Sequence, residues 1–367
     1  MPLLTPQEQE RYARHLSLVE FGAAAQERLK TARVLVIGAG GLGCPALLYL
    51  AAAGVGRITV IDPDRVDVSN LQRQVLYTAA DAGVLKVEAA ARRLRALNDL
   101  VEIVPLAQRF TRANALALVG DNDVVVDGSD NFATRYLVND ACVLAGRPFV
   151  YGAIQGFTGQ LSVFNWRGGP TYRCLFPEPP EAGTVPNCAE AGVLGVLPGL
   201  IGTAQAAEVV KLLAGVGEPL SGRLLLWDVL TMRIQTMTLA ADPRSREIRE
   251  LPPEGYGDQG CALAGEPDEE ITAEELRALL AGANPPQLLD VREPAERARG
   301  TIEPSAHVPL GELERRGRDA LPLSFDPTAP MVVFCAGGVR SLRAVRLLRE
   351  NHGIRHVQSL CGGMKGW

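Results

Sequence analysis

Short runs of β-branched and apolar residues alternate along the first 241 positions with longer segments whose apolar residues recur every three or four positions. A continuously apolar run is typical of a strand buried on both faces, and the longer period is typical of a helix that covers a sheet. The pattern predicts an α/β fold with a doubly wound, mostly parallel sheet and an antiparallel extension. Strands are expected at 34–37, 57–61, 101–106, 122–127, 149–153, 160–165, 223–228 and 233–239.

Helical segments are expected between these strands, at 5–30, from about Cys44, at 83–98 and at about 193–214. The most apolar stretch, Ala191 to Ala207, is interrupted by glycine and proline and is followed at once by Glu208 and Lys211. These interruptions and charges favour a buried helix over a membrane span.

Residues 242–270 are rich in proline, glycine, glutamate and aspartate, which predicts a linker. A second α/β pattern begins at Ile271, with a helix at 273–281, strands at 287–289 and 331–334, and a helix that extends through Arg349. We therefore expect a larger domain at 1–241, a linker at 242–270 and a smaller α/β domain at 271–367.

Composition narrows the possible functions. The net charge is −5, which argues against a nucleic-acid-binding protein because such proteins usually carry a basic surplus. The seven cysteines show no pairing rhythm, and the first residues lack the apolar core of an export signal. We therefore expect free thiols in a cytoplasmic protein.

A glycine-rich turn follows the first predicted strand. Gly38, Gly40 and Gly43 fit the pattern G-x-G-x-x-G, and Asp62 ends the next apolar run about 20 residues later. The glycines allow backbone N–H groups to approach phosphate, and the carboxylate can accept a hydrogen bond from a ribose hydroxyl. This Rossmann-like start predicts an adenine nucleotide, and a nicotinamide-dependent oxidoreductase is an alternative to an ATP-dependent enzyme.

Polar side chains follow the second and fourth predicted strands, at the sheet edge where parallel α/β proteins bind ligands. Asn70 and Arg73 lie in the first of these loops, where a guanidinium can meet phosphate oxygens. Asp127 and Asp130 lie at the end of the fourth strand, in a pattern suited to Mg²⁺. The alternative is that Asp130 only caps a helix that begins at Asn131.

Cys335 ends a predicted strand of the second domain, and a glycine loop leads from it into a helix. Backbone N–H groups in such a loop favour a thiolate, so Cys335 is a candidate nucleophile. The alternative is a buried structural cysteine.

Residues 10 to about 240 resemble the ubiquitin-activating-enzyme-like adenylyltransferases of molybdopterin and thiamine biosynthesis (the MoeB/ThiF family). The matching segments are 11–14, 38–44, 53–56, 62–64, 69–74, 83–86, 130–131 and 172–175. Residues 271–367 resemble a rhodanese domain, through segments 290–294, 335–341 and 360–364.

The first resemblance implies that ATP and Mg²⁺ are bound. The C-terminal Gly-Gly carboxylate of a ubiquitin-like sulfur-carrier protein (MoaD/ThiS-like) would attack the α-phosphate and release pyrophosphate. In a homodimer, Arg14 would reach the ATP of the neighbouring subunit, although by residue type alone it is an ordinary exposed helix residue. Asp130 would hold Mg²⁺, and Arg14, Arg73 and Asp130 would be catalytic. The residues implied to bind the nucleotide are Gly41, Asp62, Ser69, Asn70, Leu71, Gln72, Arg73, Lys86, Asp130 and Asn131.

The second resemblance implies sulfur transfer. Cys335 would carry a persulfide supplied by a donor such as a cysteine desulfurase, and Cys188 matches a loop cysteine that attacks the acyl-adenylate or forms an acyl persulfide. The expected product is a carrier thiocarboxylate. The carrier could serve molybdopterin, thiamine, cysteine or tRNA thiolation, and activation of a carrier for conjugation to proteins is an alternative.

The chain departs from the family pattern in one place. Many members hold a structural zinc ion with two C-x-x-C pairs. Here the first pair would be Thr171 and Cys174, and the second falls at 243–248, which contains no cysteine. Because one thiol cannot complete a tetrahedral zinc site, we predict that no zinc is bound.

Overall fold

The computed structural model describes residues 4–179, 192–252, 256, 269–282 and 284–367. These residues form two compact units, of which the first ends at Tyr256 and the second begins with residue 269. Residues 242–252, whose composition suggests a linker, belong to the first unit, where Leu251 is buried in the core.

Eight strands form the sheet of the first unit in the order β3-β2-β1-β4-β5-β6-β7-β8. Strands β1 to β5 pair in parallel, and β5 to β8 pair antiparallel. The predicted doubly wound, mostly parallel sheet with an antiparallel extension is therefore confirmed. The strands are β1 (Arg33–Ile37), β2 (Arg57–Ile61), β3 (Glu102–Leu106), β4 (Val124–Asp127), β5 (Phe149–Gln155), β6 (Thr158–Phe164), β7 (Arg223–Asp228) and β8 (Arg233–Thr238).

Both faces of the central strands β1, β2 and β4 are covered, which explains their uninterrupted apolar runs. Val34 and Val36 of β1 belong to one core cluster, whereas Leu35 and Ile37 belong to the cluster on the other face. Because side chains alternate between the faces of a strand, a strand buried on both sides is apolar at every position.

Helices lie between the strands of the first unit, with short 3-10 turns at Val68–Asn70, Ala79–Asp81 and Pro243–Arg246. The helix Arg112–Gly120 escaped the sequence analysis. The helices are Pro6–Arg11, Ala13–Leu16, Gly22–Thr31, Gly43–Ala53, Lys86–Leu97, Arg112–Gly120, Phe132–Ala145, Tyr172–Leu175 and Val196–Ala214.

The segment expected to be helical at 5–30 is helical, and it is divided into three helices. The first of them ends at Tyr12, whose backbone leaves the helical conformation. The Tyr12 side chain is buried and accepts a hydrogen bond from Asn98 Nδ2 at 2.9 Å. A Cβ atom at Gly54 would lie 2.4 Å from the Tyr12 ring, so the ring packs directly on that backbone.

Helix Val196–Ala214 packs against helix Gly43–Ala53. A Cβ atom at Gly202 would lie 2.2 Å from Leu42 O, so glycine is needed for this close approach. The helix is long and apolar enough to cross a membrane by length and composition alone, but half of its most apolar window is buried in the protein. Such a helix is weak evidence for a membrane span, and its packing is that of a core helix.

The second unit has a five-stranded parallel sheet in the order β11-β10-β12-β13-β9. This confirms the smaller α/β fold, although the two-residue strands β9 and β11 are too short to show a pattern. The strands are β9 (Glu270–Ile271), β10 (Gln287–Asp290), β11 (Ala306–His307), β12 (Met331–Phe334) and β13 (Val357–Leu360). The helices are Ala273–Leu280, Pro294–Arg297, Leu310–Arg316, Val339–His352 and Gly363–Gly366, with a 3-10 turn at Gly317–Ala320.

Candidate functional site

The glycine turn joins β1 to helix Gly43–Ala53. Gly38 has φ +90°, and a Cβ atom there would lie 2.8 Å from Gly128 O, at the end of β4. A Cβ atom at Gly43 would lie 1.9 Å from Gly38 O. Neither position can hold a side chain, because the turn brings the ends of two strands and a helix start together. The resulting N-terminal end of the helix is suited to phosphate.

Asp62 is buried at the end of β2 and is tied to this turn. Its carboxylate accepts hydrogen bonds from the backbone N–H groups of Ala39 and Asp64, each at 2.8 Å. Burial raises the pKa of the Asp62 carboxyl, and the nearby Lys86 ammonium opposes that rise. A carboxylate has lone pairs beyond the two used here, so Asp62 can also accept from a ribose hydroxyl.

Lys86 is the first residue of helix Lys86–Leu97 and is buried. Its ammonium lies 2.8 Å from Asp64 Oδ2 and 4.0 Å from Asp62 Oδ1. Lys86 is thus buried beside the carboxylates that follow β2, and it is not a surface residue.

The loop after β2 carries the other expected nucleotide ligands. Asp67 accepts a hydrogen bond from the backbone N–H of Ser69 at 2.7 Å and so begins a 3-10 turn. One turn later, Arg73 donates to Asn70 Oδ1 at 2.7 Å. A Cβ atom at Gly41 would lie 3.5 Å from Arg73 Cδ, so the fold brings the arginine to the glycine turn.

Leu71 and Gln72 complete this loop. Leu71 is half-buried and Gln72 is exposed. A Cβ atom at Gly195 would lie 2.2 Å from Gln72 O, so the start of helix Val196–Ala214 packs against the loop.

The end of β4 holds two carboxylates in different environments. Asp127 is fully buried, and its Oδ1 accepts from the Ser129 hydroxyl at 2.6 Å. Burial raises the pKa of Asp127, an effect that Arg135 and Ser129 oppose. Asp130 is exposed. The cap of the following helix is Asn131, which accepts from Thr134 N at 2.8 Å, so the alternative that Asp130 caps a helix beginning at Asn131 is wrong.

Buried oxygens near the glycine turn lack a hydrogen-bond partner among the described residues, and two of them bear on the site. They are Asp127 Oδ2, at the end of β4, and Gln74 Oε1. The Gln74 side chain lies 3.8 Å from where a Cβ atom of Gly40 would be. Since buried polar atoms are normally paired, both fit a site that is completed by a ligand, its ion or its water. Asp127 and Asp130 together supply the carboxylates that Mg²⁺ prefers beside phosphate.

Arg14 is exposed on the short helix Ala13–Leu16, and among the described residues no hydrogen bond or ion pair joins it to the glycine turn or to the loop after β2. Cys188 lies outside the described residues.

Cys335 begins the glycine loop after β12 and is 1% exposed. Its sulfur accepts a hydrogen bond from Gly338 N at 3.1 Å, and the Ser341 hydroxyl lies 3.5 Å away. Gly338 has φ +96° and precedes helix Val339–His352. The sulfur therefore has a backbone N–H donor and a hydroxyl beside it, at the start of a helix.

Two arginine–carboxylate pairs lie in this part of the second unit, one from the helix after the loop and one after β10. Arg340 contacts both oxygens of Glu296 at 2.7 Å, and Arg292 contacts Asp290 at 2.9 and 2.7 Å. The hydrogen bonds from Arg340 lower the pKa of Glu296. Sequence reasoning missed Glu296, because a glutamate 44 positions from its partner has no local pattern.

The positions expected for zinc ligands do converge. Cys174 Sγ lies 3.1 Å from Ser245 Oγ and 3.6 Å from Thr171 Oγ1, and it accepts from Asp242 N at 3.3 Å. Ser245 lies within the expected segment 243–248, and Asp242 lies one residue before it. Burial raises the pKa of Cys174, but these hydrogen bonds outweigh it and leave the pKa lowered. In the described part of the chain no group of three or more metal-ligating side chains occurs.

Comparisons with known proteins agree with this arrangement. The ThiF family matches residues 12–247, and the rhodanese-like domain matches residues 272–367. The chain is 44% identical to the probable adenylyltransferase/sulfurtransferase MoeZ of Mycobacterium tuberculosis, over 99% of this chain and 94% of that protein. It is 54% identical to the sulfur carrier protein adenylyltransferase of Thermus thermophilus, over 65% of this chain and 90% of that protein.

A further relative is the adenylyltransferase and sulfurtransferase MOCS3 of Sus scrofa, 44% identical over 97% of this chain and 85% of that protein. Among solved structures, E. coli MccB with MccA-N7isoASN has a TM-score of 0.58 at 23% identity, over 66% of this chain and 74% of that chain. At that identity the likeness concerns the fold alone.

Proposed function

The chain belongs to the ThiF family and carries a rhodanese-like domain after it, and from this premise we propose how its residues perform two linked reactions. The protein is an adenylyltransferase and sulfurtransferase that activates a ubiquitin-like sulfur carrier with ATP and transfers sulfur to it. One observation carries the assignment of residues: Arg73 and the glycine turn meet at the edge of the first sheet, while Cys335 begins a separate donor-lined loop.

In the first reaction the triphosphate of ATP lies on the glycine turn. Gly41 binds phosphate through its backbone, Arg73 and Lys86 offset phosphate charge, and Asp62 accepts from the ribose. Ser69, Asn70, Leu71, Gln72 and Asn131 line the nucleotide. The carrier carboxylate attacks the α-phosphate, and pyrophosphate leaves. Fixed cations stabilise the charge of the transition state without reorganisation, which is where most of the rate gain arises.

Mg²⁺ is part of the proposal. Asp130 and the unpaired Asp127 Oδ2 would hold the ion, which would neutralise charge on the phosphates. The ion would supply a partner for Asp127 Oδ2, which is buried and has no hydrogen-bond partner among the described residues.

Arg14 requires a second chain in this proposal. It is exposed, and no hydrogen bond or ion pair joins it to the described residues proposed to bind the nucleotide in its own chain. This fits a residue that reaches the phosphates of a neighbouring subunit. We therefore propose a homodimer with two equivalent sites, in the cytoplasm, with no membrane or nucleic-acid partner.

In the second reaction Cys335 holds the sulfur as a persulfide, loaded by a donor such as a cysteine desulfurase. The terminal sulfur attacks the acyl carbon of the adenylate and AMP leaves, so that carrier and enzyme are joined through an acyl disulfide. Cleavage of the S–S bond by a thiol releases the carrier thiocarboxylate. Cys188 is assigned a direct attack on the adenylate or formation of an acyl persulfide.

The test uses full-length protein, ATP, Mg²⁺, thiosulfate and a panel of MoaD/ThiS-like carriers that end in Gly-Gly. We expect one carrier class to gain the mass of a thiocarboxylate with wild-type protein. Cys335→Ala should retain carrier-dependent ATP–pyrophosphate exchange and lose the thiocarboxylate. Unchanged thiocarboxylate yield in that variant would contradict the sulfur route.

Two other functions have distinct outcomes in the same samples. Isopeptide-linked carrier on cellular proteins would indicate conjugation, and a spectral change with a nicotinamide cofactor in place of ATP would indicate an oxidoreductase.

A further inference from the structure

A second cysteine of the second unit follows the strand next to Cys335. β12 and β13 are parallel neighbours in which Val333 pairs with Ser359. Two residues beyond this pair, and one residue past the end of each strand, stand Cys335 and Cys361. Neighbouring strands lie about 4.8 Å apart, which is within the Cα separation that a disulfide bridges.

The backbone around Cys361 remains close to the active loop. Cys361 N donates to Ile271 O at 2.9 Å, so β13 still runs beside β9 at this residue. Met364 N donates to Cys335 O at 2.8 Å, and a Cβ atom at Gly363 would lie 2.3 Å from the same oxygen. The segment after Cys361 therefore packs on the backbone of Cys335.

Side chains of the two strands share one face here. Ser359 donates to Ser341 Oγ at 2.8 Å, and Ser341 lies 3.5 Å from Cys335 Sγ. Cys361 lies two residues beyond Ser359, in the turn that follows β13. Cys335 is buried and Cys361 is partly exposed. Of the described cysteines, Cys44, Cys142 and Cys174 all lie in the first unit.

We propose that Cys361 is the resolving thiol of the sulfur transfer, an inference that rests on the proposed function. The Cys361 thiolate attacks Cys335 Sγ in the acyl disulfide that joins carrier and enzyme. A bond forms between the two cysteine sulfurs, and the bond from Cys335 to the transferred sulfur breaks. The electron pair leaves with the carrier thiocarboxylate, and the enzyme retains a disulfide between Cys335 and Cys361.

The step needs no external oxidant, because the transferred sulfane sulfur receives the two electrons that the cysteines give up. A thiocarboxylate is a weakly basic leaving group, which favours cleavage in this direction. A dithiol reductant then restores both thiols, and it reaches the pair through the partly exposed Cys361. Each turnover would consume one persulfide sulfur and two reducing electrons.

In the experiment, Cys335 of the full-length protein is first loaded with sulfur from thiosulfate. The protein is then desalted so that no small-molecule thiol remains. ATP, Mg²⁺ and the carrier that supports ATP–pyrophosphate exchange are added for a single turnover. Intact mass and non-reducing peptide maps follow the carrier and the cysteines. The variants are Cys361→Ser and, as a matched control, Cys174→Ser, which removes a partly exposed thiol from the first unit.

In wild-type protein and Cys174→Ser we expect free thiocarboxylate, a chain lighter than the reduced protein by two hydrogen atoms, and a linked peptide that joins Cys335 to Cys361. In Cys361→Ser we expect release to slow by about tenfold or more, with the carrier attached to Cys335 until dithiothreitol frees it. Release at the wild-type rate, or a disulfide from Cys335 to Cys188 or Cys261, would overturn the inference. Failure of wild-type Cys335 to gain a persulfide would instead contradict the proposed function.

Discussion

Lys86 Nζ lies 4.0 Å from Asp62 Oδ1, with both side chains less than a tenth exposed, so a buried cation and carboxylate stand together beside the glycine turn. Asp62→Asn should raise the KM for ATP by about tenfold, because a charged hydrogen-bond acceptor is lost from a buried site. Pyrophosphate exchange at varied ATP concentration measures this. Asp64→Asn is the control, since Asp64 contacts Lys86 but is largely exposed. Equal effects of the two substitutions would mean that Asp62 acts only by orienting Lys86.

Asp130 and Asn131 are adjacent and exposed but have different expected roles. Asp130→Asn should lower carrier-dependent pyrophosphate exchange by about a hundredfold, because the site would lose a ligand of the Mg²⁺ ion that neutralises charge on the phosphates. Asn131→Ala removes the helix cap and should cost about 1 kcal/mol of stability, with a much smaller effect on exchange. Exchange and thermal unfolding separate the two effects, and undiminished exchange in Asp130→Asn would refute the Mg²⁺ assignment.

The cross-subunit role of Arg14 can be tested by mixing two inactive variants. Arg14→Ala and Asp130→Asn protomers should each be inactive, but a mixed dimer has one intact site if Arg14 acts on the neighbouring subunit. Random reassortment of protomers should then restore about a quarter of the wild-type rate of ATP–pyrophosphate exchange. The rate is measured before and after the two variants are unfolded and refolded together. No recovery would place Arg14 in the site of its own subunit, whereas wild-type activity of Arg14→Ala alone would place it outside catalysis.

Acid should weaken the contact between Glu296 and Arg340. Hydrogen bonds from Arg340 lower the pKa of Glu296 below its usual 4.5. A carboxylate with a lowered folded-state pKa stabilises the fold above the unfolded-state pKa, and the contribution is lost as pH falls through the folded-state value. Glu296→Gln should therefore destabilise the second unit at pH 7 by about 1 kcal/mol, and the difference from wild type should shrink below about pH 4.5. Thermal scans at both pH values measure it.

Glu314→Gln is the control for this pH dependence, because Glu314 pairs with Arg343 at 2.8 Å in a more exposed setting. A pH-independent effect of Glu296→Gln would show that packing, and not charge, accounts for its contribution.

Purified protein should contain no tightly bound zinc, and one equivalent found by metal analysis would contradict the prediction. The convergence of Thr171, Cys174, Asp242 and Ser245 allows a stronger test. Changing Thr171, Asp242 and Ser245 to cysteine supplies four thiolates, which should bind one zinc ion per chain. The same variant with Cys174→Ser should bind zinc less tightly, since one ligand is lost.

Local chain chemistry allowed much of the fold to be predicted. Apolar runs located the central strands of the first sheet, since burial on both faces leaves few polar positions. Helix boundaries at the N-terminus were missed, because Tyr12 leaves the helix to pack on Gly54, a contact between distant segments. The role of Asn131 as the cap likewise depended on the backbone conformation of one residue.

The sequence by itself determined the features whose geometry is local. Gly38 and Gly43 predict a phosphate turn because no side chain fits there, and the loop from Cys335 to Ser341 predicts a nucleophile because its N–H groups and helix start are consecutive in the chain. Tertiary structure decided which distant residues meet. Arg340 pairs with Glu296, Asp127 Oδ2 is buried without a hydrogen-bond partner among the described residues, and the parallel neighbours β12 and β13 end next to Cys335 and Cys361. These relationships depend on strand register and packing, where a shift of one residue would exchange the buried and exposed faces of a strand.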